Sequence, residues 1–317
     1  MVQIEQVQSP SKEQYREAHR LCATHWTHLD SLDLDARFAL FEHLAVELVL
    51  ARDGQKLLGV CFVLPDSVSS ASGILPVVWL FNLYVLPESQ NLGALMLMRM
   101  MHWYSPIMCI GVTAQAGQIY RALRWQCFEQ VWRCVHPINL SAAVSQFGQN
   151  VSAGWLRVIL RMAGVIYNPL MRVLDHLLSM GIGAQNVEGL DLDRAPQKLP
   201  QNSVERSALV ATYLMAFETA GLMAVEIGGI GRLVRDDLNG LQRVREHARL
   251  RRALRKQGVV MTEFIASSVS DKKRALWCGA MPISMPIYYW DPDDLLAGFF
   301  AEFDRSDFTF ASCDKIF

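Results

Sequence analysis

One order of elements occurs twice along the chain and limits its architecture more than any other feature: strand, helix, strand, short helix, strand. In the first pass, "LVLARDGQKLLGVCFVLP" supplies two apolar runs joined by Asp53-Gly54, a pair suited to the left-handed residues of a tight hairpin turn. "PVVWLFNLYVL" then predicts a long third strand, residues 93 to 103 a helix, "IMCIGVTA" a strand, "AGQIYRALRW" a short helix and "CFEQVWRCVHPINL" a closing strand. Upstream, residues 2 to 7 read as a short strand, a helix opens where Ser11 can cap it, and "LDARFALFEHLAVE" reads as a second helix. The predicted order of the first 140 residues is therefore βααβββαβαβ.

A Gly-, Asn- and Pro-rich passage at 181 to 203 separates this from a partial repeat. There "ATYLMAF" and "LMAVEIGGIGRLV" suggest strands and residues 236 to 257 a long helix, followed by "VVMTEFIASS" (strand), "SDKKRALWCG" (short helix), "MPISMPIYYW" (strand) and "FTFASCDKIF" (last strand). Arg121-Ala122-Leu123 is echoed by Arg274-Ala275-Leu276. Strands alternating with helices predict the α/β (α+β) class, as two lobes that each carry a mixed central sheet flanked by helices. The expected division is a first domain over 1–140, a helical connector and linker over 141–203, and a second lobe over 204–317.

Composition narrows the function classes. With 30 basic against 31 acidic side chains, no global field points to nucleic acid. The seven cysteines show no zinc spacing, so no metal is expected, and they read as buried free thiols of a cytoplasmic protein. The N-terminus is too polar for a secretory leader. Residues 155 to 180, "WLRVILRMAGVIYNPLMRVLDHLLSM", are apolar but interrupted by Arg157, Arg161, Arg172 and Asp175, which excludes a membrane span. Two readings fit them: a Pro169-broken helix packed between lobes, or an amphipathic helix in peripheral contact with a membrane.

The stretch "LYVLPESQNLGALMLMRMMHW" (83–103) joins strand to helix through a glycine-containing turn. A turn that opens a helix presents amides without intrahelical acceptors, and the helix dipole favours an anion there. With Gly93 allowing close approach and no acid between Ser89 and Trp103, the turn suits a pyrophosphate; a strand-turn-helix without a ligand is the plain alternative.

Two short motifs in this region resemble the GCN5-related N-acetyltransferase superfamily. Leu83, Val85, Pro87, Glu88, Gln90 and Gly93 match its strand-turn-helix signature, with Leu95 where that family has a small residue. Ala116, Ile119, Tyr120, Leu123 and Trp125 match its later helix, with Arg124 in place of glycine. The resemblance implies an acyl-CoA-dependent N-acyltransferase, acetyl-CoA as co-substrate, and direct transfer to a small-molecule or peptide amine. It implies that Tyr84, Val85, Gln90, Asn91, Leu92, Gly93, Ala94 and Leu95 hold the acyl-CoA, and that Tyr120 protonates the departing thiolate. The usual strand carboxylate is missing, since Phe81 and Asn82 stand there, so the acceptor site is expected among His25, Trp26, His28 and Asn82; His25, His28 and Asp30 also have the makings of a metal site. Two rivals remain: a non-catalytic binding or assembly protein of this fold, and an aminoacyl- or sugar-modifying relative of envelope polysaccharide synthesis.

In the second lobe, Asp236-Asp237 at the start of the helix and Lys273 at the position of Tyr120 predict a degenerate half without acyl-CoA. "GGIGRL" (228–233) lacks the rest of a dinucleotide fingerprint and reads as a glycine-rich strand end. "RVREHARLRRALRK" (243–256) reads as a solvated helix face.

Overall fold

The computed structural model describes residues 2–25, 34–70, 73–89, 91–129, 131–147, 154–179, 185–186, 216–219, 222–227, 229–236, 238, 240–266, 269–277 and 279–302. It is a mixed α/β structure with two seven-stranded sheets flanked by helices. The chain divides into two compact units, one built from Met1–Val131 with Ser284–Phe308, the other centred on Trp132–Ile283.

The first unit opens with β1 (Val2–Val7), α1 (Lys12–Ala23) and α2 (Leu34–His43). Ser11 caps α1 as expected, accepting from the Gln14 amide while the Gln14 side chain accepts from the Ser11 amide. A meander follows: β2 (Glu47–Asp53), β3 (Lys56–Ser70) and β4 (Gly73–Val85), with the β2–β3 turn at Asp53-Gly54. After a 3₁₀ turn (Pro87–Ser89) come α3 (Asn91–Trp103), β5 (Ile107–Ile110), α4 (Ala114–Ala122) and β6 (Gln126–Phe128). Leu92, Met96, Leu97 and Met100 of α3 pack with Val49, Leu58, Cys61, Ile107 and Tyr120 in the core beneath. The helix comes this close because Gly59 has no side chain: a Cβ there would lie 2.8 Å from Val85 and 3.0 Å from Met96.

The second unit comprises β7 (Trp132–Pro137), α5 (Leu140–Phe147), α6 (Gly154–Leu178), the short β8 (Gln185–Asn186), β9 (Ala216–Thr219), β10 (Leu222–Ile227), β11 (Ile230–Asp236), α7 (Gly240–Lys256), β12 (Met261–Ala266), α8 (Val269–Trp277) and β13 (Met281–Ser284). The same displacement that lays Arg121–Leu123 on Arg274–Leu276 lays the end of α3 on the end of α7. "GGIGRL" falls where strands end, as expected: Gly229, at φ +81°, turns the hairpin between β10, which ends at Ile227, and β11, which Ile230–Leu233 open. Asp236 ends β11 rather than opening the helix, and the first turn of α7 carries no acid. Asp236 is therefore not at the helix start where the sequence placed it.

Two stretches read as single strands each break in two. "CFEQVWRCVHPINL" gives β6 and β7, and "MPISMPIYYW" gives β13 and β14 (Ile287–Trp290), followed by α9 (Ala297–Glu302). The pieces go to different sheets. The first sheet runs β1-β2-β3-β4-β5-β14-β6 and the second β13-β7-β12-β11-β10-β9-β8. Thus β14 lies between β5 and β6, pairing Tyr288 with Cys109 on one side and Cys127 on the other, while β7 lies between β12 and β13. Strand β7, which precedes residue 140, therefore belongs to the second sheet, and β14, which follows residue 204, belongs to the first. The final expected strand, "FTFASCDKIF", lies outside the described residues.

Candidate functional site

Strands β4 and β5 pair in parallel only from Val78↔Ile107 to Leu80↔Cys109. Beyond Leu80 they part, and β4 runs on to Val85 bonded to β3 alone. A bulge lies just after the parting point: the register passes from Phe62↔Phe81 to Val60↔Tyr84, setting Asn82 and Leu83 of β4 against Cys61. Asn82 carries the strain of it, at φ +50°. Buried thiols satisfy the displaced carbonyls, with Cys61 Sγ 3.8 Å from the Phe81 oxygen and Cys22 Sγ 3.9 Å from the Asn82 oxygen. Burial pushes the Cys22 pKa up to about 12 and that of Cys61 well above its ordinary value, so both stay protonated donors. Cys22, Cys61, Cys109 and Cys134 are the buried free thiols expected, but Cys127 on β6 is exposed.

The bulge decides where the next amides point. Leu86 N–H donates to the Leu58 oxygen at 2.8 Å, so Leu86 and Leu58 form a hydrogen-bonded pair. By antiparallel alternation the N–H of Val85 then turns away from β3, toward the side that β5 has left. Above it, α3 opens with Asn91, Leu92 and Gly93, and its first turn has no acid. A Cβ at Gly93 would meet only Val85, at 3.8 and 4.0 Å, which is ordinary contact. Packing therefore requires glycine at position 59 but not at 93, where the missing side chain leaves open space beside the first amides of α3. Leu95 is 41% exposed and does not enter the core. Gln90 lies outside the described residues.

Tyr120 is placed by the end of α4. Thr113 caps the start of this helix, accepting from Ala116 N–H at 3.2 Å. At its end Trp125 N–H donates to the Tyr120 oxygen and Arg124 N–H to the Arg121 oxygen, both at 3.0 Å, with the Tyr120 and Trp125 rings edge to face at 4.5 Å. This is a Schellman cap, whose penultimate position favours glycine because its φ is positive. Arg124 occupies it at φ +63°. The Tyr120 ring also stacks on Tyr288 of β14, centroids 5.4 Å apart, and shares its core cluster with Cys109, the last residue of β5 paired to β4 before the two strands part. It is buried, and burial first, then the neighbouring Cys109, holds its pKa well above the ordinary tyrosine value.

On the opposite face of β4, the imidazole of His25, just past the end of α1, stacks on Tyr84 at 5.3 Å between centroids. The structure thus brings His25 onto Tyr84, two residues along β4 from Asn82, while Trp26, His28 and Asp30 lie outside the described residues. No cluster of three metal-binding side chains occurs among the described residues. Sequence reasoning missed that Cys22 and Cys61 bond the carbonyls displaced by the bulge; lone thiols carry no spacing signal.

Searches of the sequence against family models and against curated proteins return no match. The fold does match solved structures. A candidate acetyltransferase from Pyrococcus horikoshii superposes with a TM-score of 0.55 at 9% identity, over 92% of this chain and 90% of that one. A GCN5-related glucosamine N-acetyltransferase region of a fungal multi-domain β-N-acetylglucosaminidase superposes with a TM-score of 0.50 at 11% identity, over 92% of this chain and 38% of that one.

Proposed function

We propose, from the premise that this chain has the GCN5-related N-acetyltransferase fold, that the gap between β4 and β5 takes an acyl-CoA and that the protein is an N-acyltransferase, with acetyl-CoA the first donor to test. The observation that carries the proposal is the juxtaposition of three things at one opening: the parted strands, the outward Val85 amide and the acid-free start of α3. In this reading, Asn91, Leu92, Gly93 and Ala94 offer amides to the pyrophosphate and the Val85 N–H polarises the thioester carbonyl. An amine attacks that carbonyl directly; its N–C bond forms as the carbon–sulfur bond breaks, and the proton the nitrogen sheds ends on the departing sulfur, which leaves as free thiol. Tyr120, whose proton is tightly held, stabilises the departing thiolate by a hydrogen bond. His25, Asn82 and Tyr84 mark the acceptor side, and an amino sugar is one amine to try, given the glucosamine acceptor named for the fungal neighbour. The free thiols support a cytosolic setting. The first unit holds the site in this proposal, and the second has none.

Calorimetric titration with acetyl-CoA tests it. The parent protein should bind, Leu95→Ala should bind as well or better, and Gly93→Glu should not bind, because it adds bulk and a like charge at the phosphate position. Absence of binding in both the parent and Leu95→Ala would reduce the turn to a bend and favour the non-catalytic reading. Exposed Leu95 on the first turns of α3 is the observation that speaks for that second reading.

A further inference from the structure

The helix α6 is amphipathic the wrong way round for a helix in water. Its polar side chains hold it to the second unit. The Asn168 carboxamide accepts from Leu140 N–H and donates to Asn139 Oδ1, each at 2.9 Å, and Tyr167 Oη donates to the Pro137 oxygen at 2.9 Å. Asp175, fully buried, receives Arg251 at 2.7 Å on one oxygen and Arg255 at 2.8 Å on the other. Gly164 lets α5 pass so closely that a Cβ would lie 2.1 Å from Ser141 Oγ. With its polar face committed inward, the opposite face presents Trp155, Ile159, Met162, Ile166, Leu170, Val173 and Leu177, at the three- and four-residue spacing of one helical stripe. Ile166 is 74% exposed and Trp155 67%. Spanning Trp155 to Leu177 of the 25-residue helix, the stripe is roughly 33 Å long.

Charge selects the occupant. The exposed surface of α6 carries Arg161, Arg172 and His176 along one flank and no carboxylate, since the helix's one acid, Asp175, is buried between two arginines. Beside that flank, Arg252 of α7 reaches Ser179 just past the end of α6, at 3.3 Å. Two copies meeting along this stripe would bring like charges together, whereas phosphate headgroups beside an acyl layer complement both the stripe and its basic edge. No helix among the described residues is long and apolar enough to cross a membrane, so the helix would lie in the plane of the surface.

We infer that α6 docks the protein on an anionic lipid surface, with the stripe from Trp155 to Leu177 facing the acyl chains and Arg161 and Arg172 the headgroups. This holds whether or not the β4–β5 gap transfers acyl groups.

Flotation of the full-length protein with vesicles tests it, comparing phosphatidylcholine alone with phosphatidylcholine containing phosphatidylglycerol, at low and high salt. The protein should float with the anionic vesicles, release as salt rises, and stay behind with the neutral ones. Ile166→Glu with Leu170→Glu, at exposed positions where the fold loses nothing, should abolish flotation while leaving the melting curve in place. Arg161→Ala with Arg172→Ala should weaken partitioning roughly ten-fold or more. The inference is overturned if the parent fails to float with anionic vesicles at low salt, or if the paired glutamates leave flotation unchanged. It is equally overturned if sedimentation velocity shows a dimer that Ile166→Glu dissociates, because the stripe is then covered by a second copy.

Discussion

The two sheets part their central parallel strands in the same way, yet they fill the opening with opposite chemistry. In the first unit the last paired residues are Leu80 and Cys109, with the neutral Tyr120 hydroxyl beside them and α3 burying Leu92, Met96, Leu97 and Met100. In the second the last pair is Arg232↔Glu263, and Arg133 of β7 forms an ion pair with the buried Glu263. Its helix α7 buries Arg243, Glu246, His247 and Arg251, with Arg243 over the Phe264 ring at 5.8 Å. The same parting thus leaves neutral groups at the vertex of one unit and an ion pair at that of the other, whose helix α7 also binds Asp175 of α6 through Arg251 and Arg255. A parted strand pair is therefore not a site by itself, and what stands at its vertex decides.

Tyr120→Phe against Lys273→Ala gives the sharpest contrast. Removing the hydroxyl should lower turnover about 10²- to 10⁴-fold with little change in acetyl-CoA affinity, as a group acting only on the leaving thiolate requires. Lys273→Ala, at the matching place in the second unit, should leave turnover alone; release of free thiol with a panel of amines reads both. Equal effects would abolish the distinction between the units.

Asp175→Ala should destabilise the protein by about 3–5 kcal/mol, because it strands the buried Arg251 guanidinium and leaves the partly buried Arg255 without its carboxylate, and denaturant titration measures it. A shift of a few tenths would mean that the ion pairs are not what secures α6.

Acid should act on the second unit through His136. Burial, helped by the nearby Arg251, lowers its pKa to about 3 from the ordinary 6.5. The unfolded chain then binds a proton that the folded one refuses, so stability falls as pH drops from about 6.5 toward 3. His136→Gln should flatten that part of the profile, by on the order of 2–4 kcal/mol across the window, when denaturation midpoints are followed against pH.

Gly93→Ala separates fold from ligand. Since a methyl fits beside Val85, the variant should be more stable by about 0.5–1 kcal/mol, yet bind acetyl-CoA more weakly. The smallest effect belongs to Arg124→Gly, which relieves a left-handed arginine and should raise stability by at most about 1 kcal/mol in a thermal melt.

Much of the architecture was legible because local signals set it: the Asp53-Gly54 turn, the Ser11 cap, the apolar spacing of α3. The motif around Tyr120 was legible for a reason that the cap makes plain, since an aromatic pair spanning a left-handed residue is a local device written in six consecutive positions, Tyr120 to Trp125. The division of the chain was not legible. No periodicity in "CFEQVWRCVHPINL" or "MPISMPIYYW" says that its two ends pair in different sheets, because strand partners are chosen by residues more than a hundred positions away. Nor could apolar spacing in α6 tell which face turns outward; that required seeing Asn168 and Asp175 bonded inward.

The exchange of β7 and β14 makes the two halves of the chain topologically interdependent. A half expressed alone would expose β5 and β6, or β12 and β13, as bare edges separated by a missing strand, a configuration prone to aggregate or to borrow the strand from another molecule. Pairings between such distant residues form late, so the full chain should fold slowly and as a whole rather than lobe by lobe. Once folded it gains the converse property: a chain cut between residues 186 and 216 would remain one particle, each fragment holding a strand that the other cannot do without.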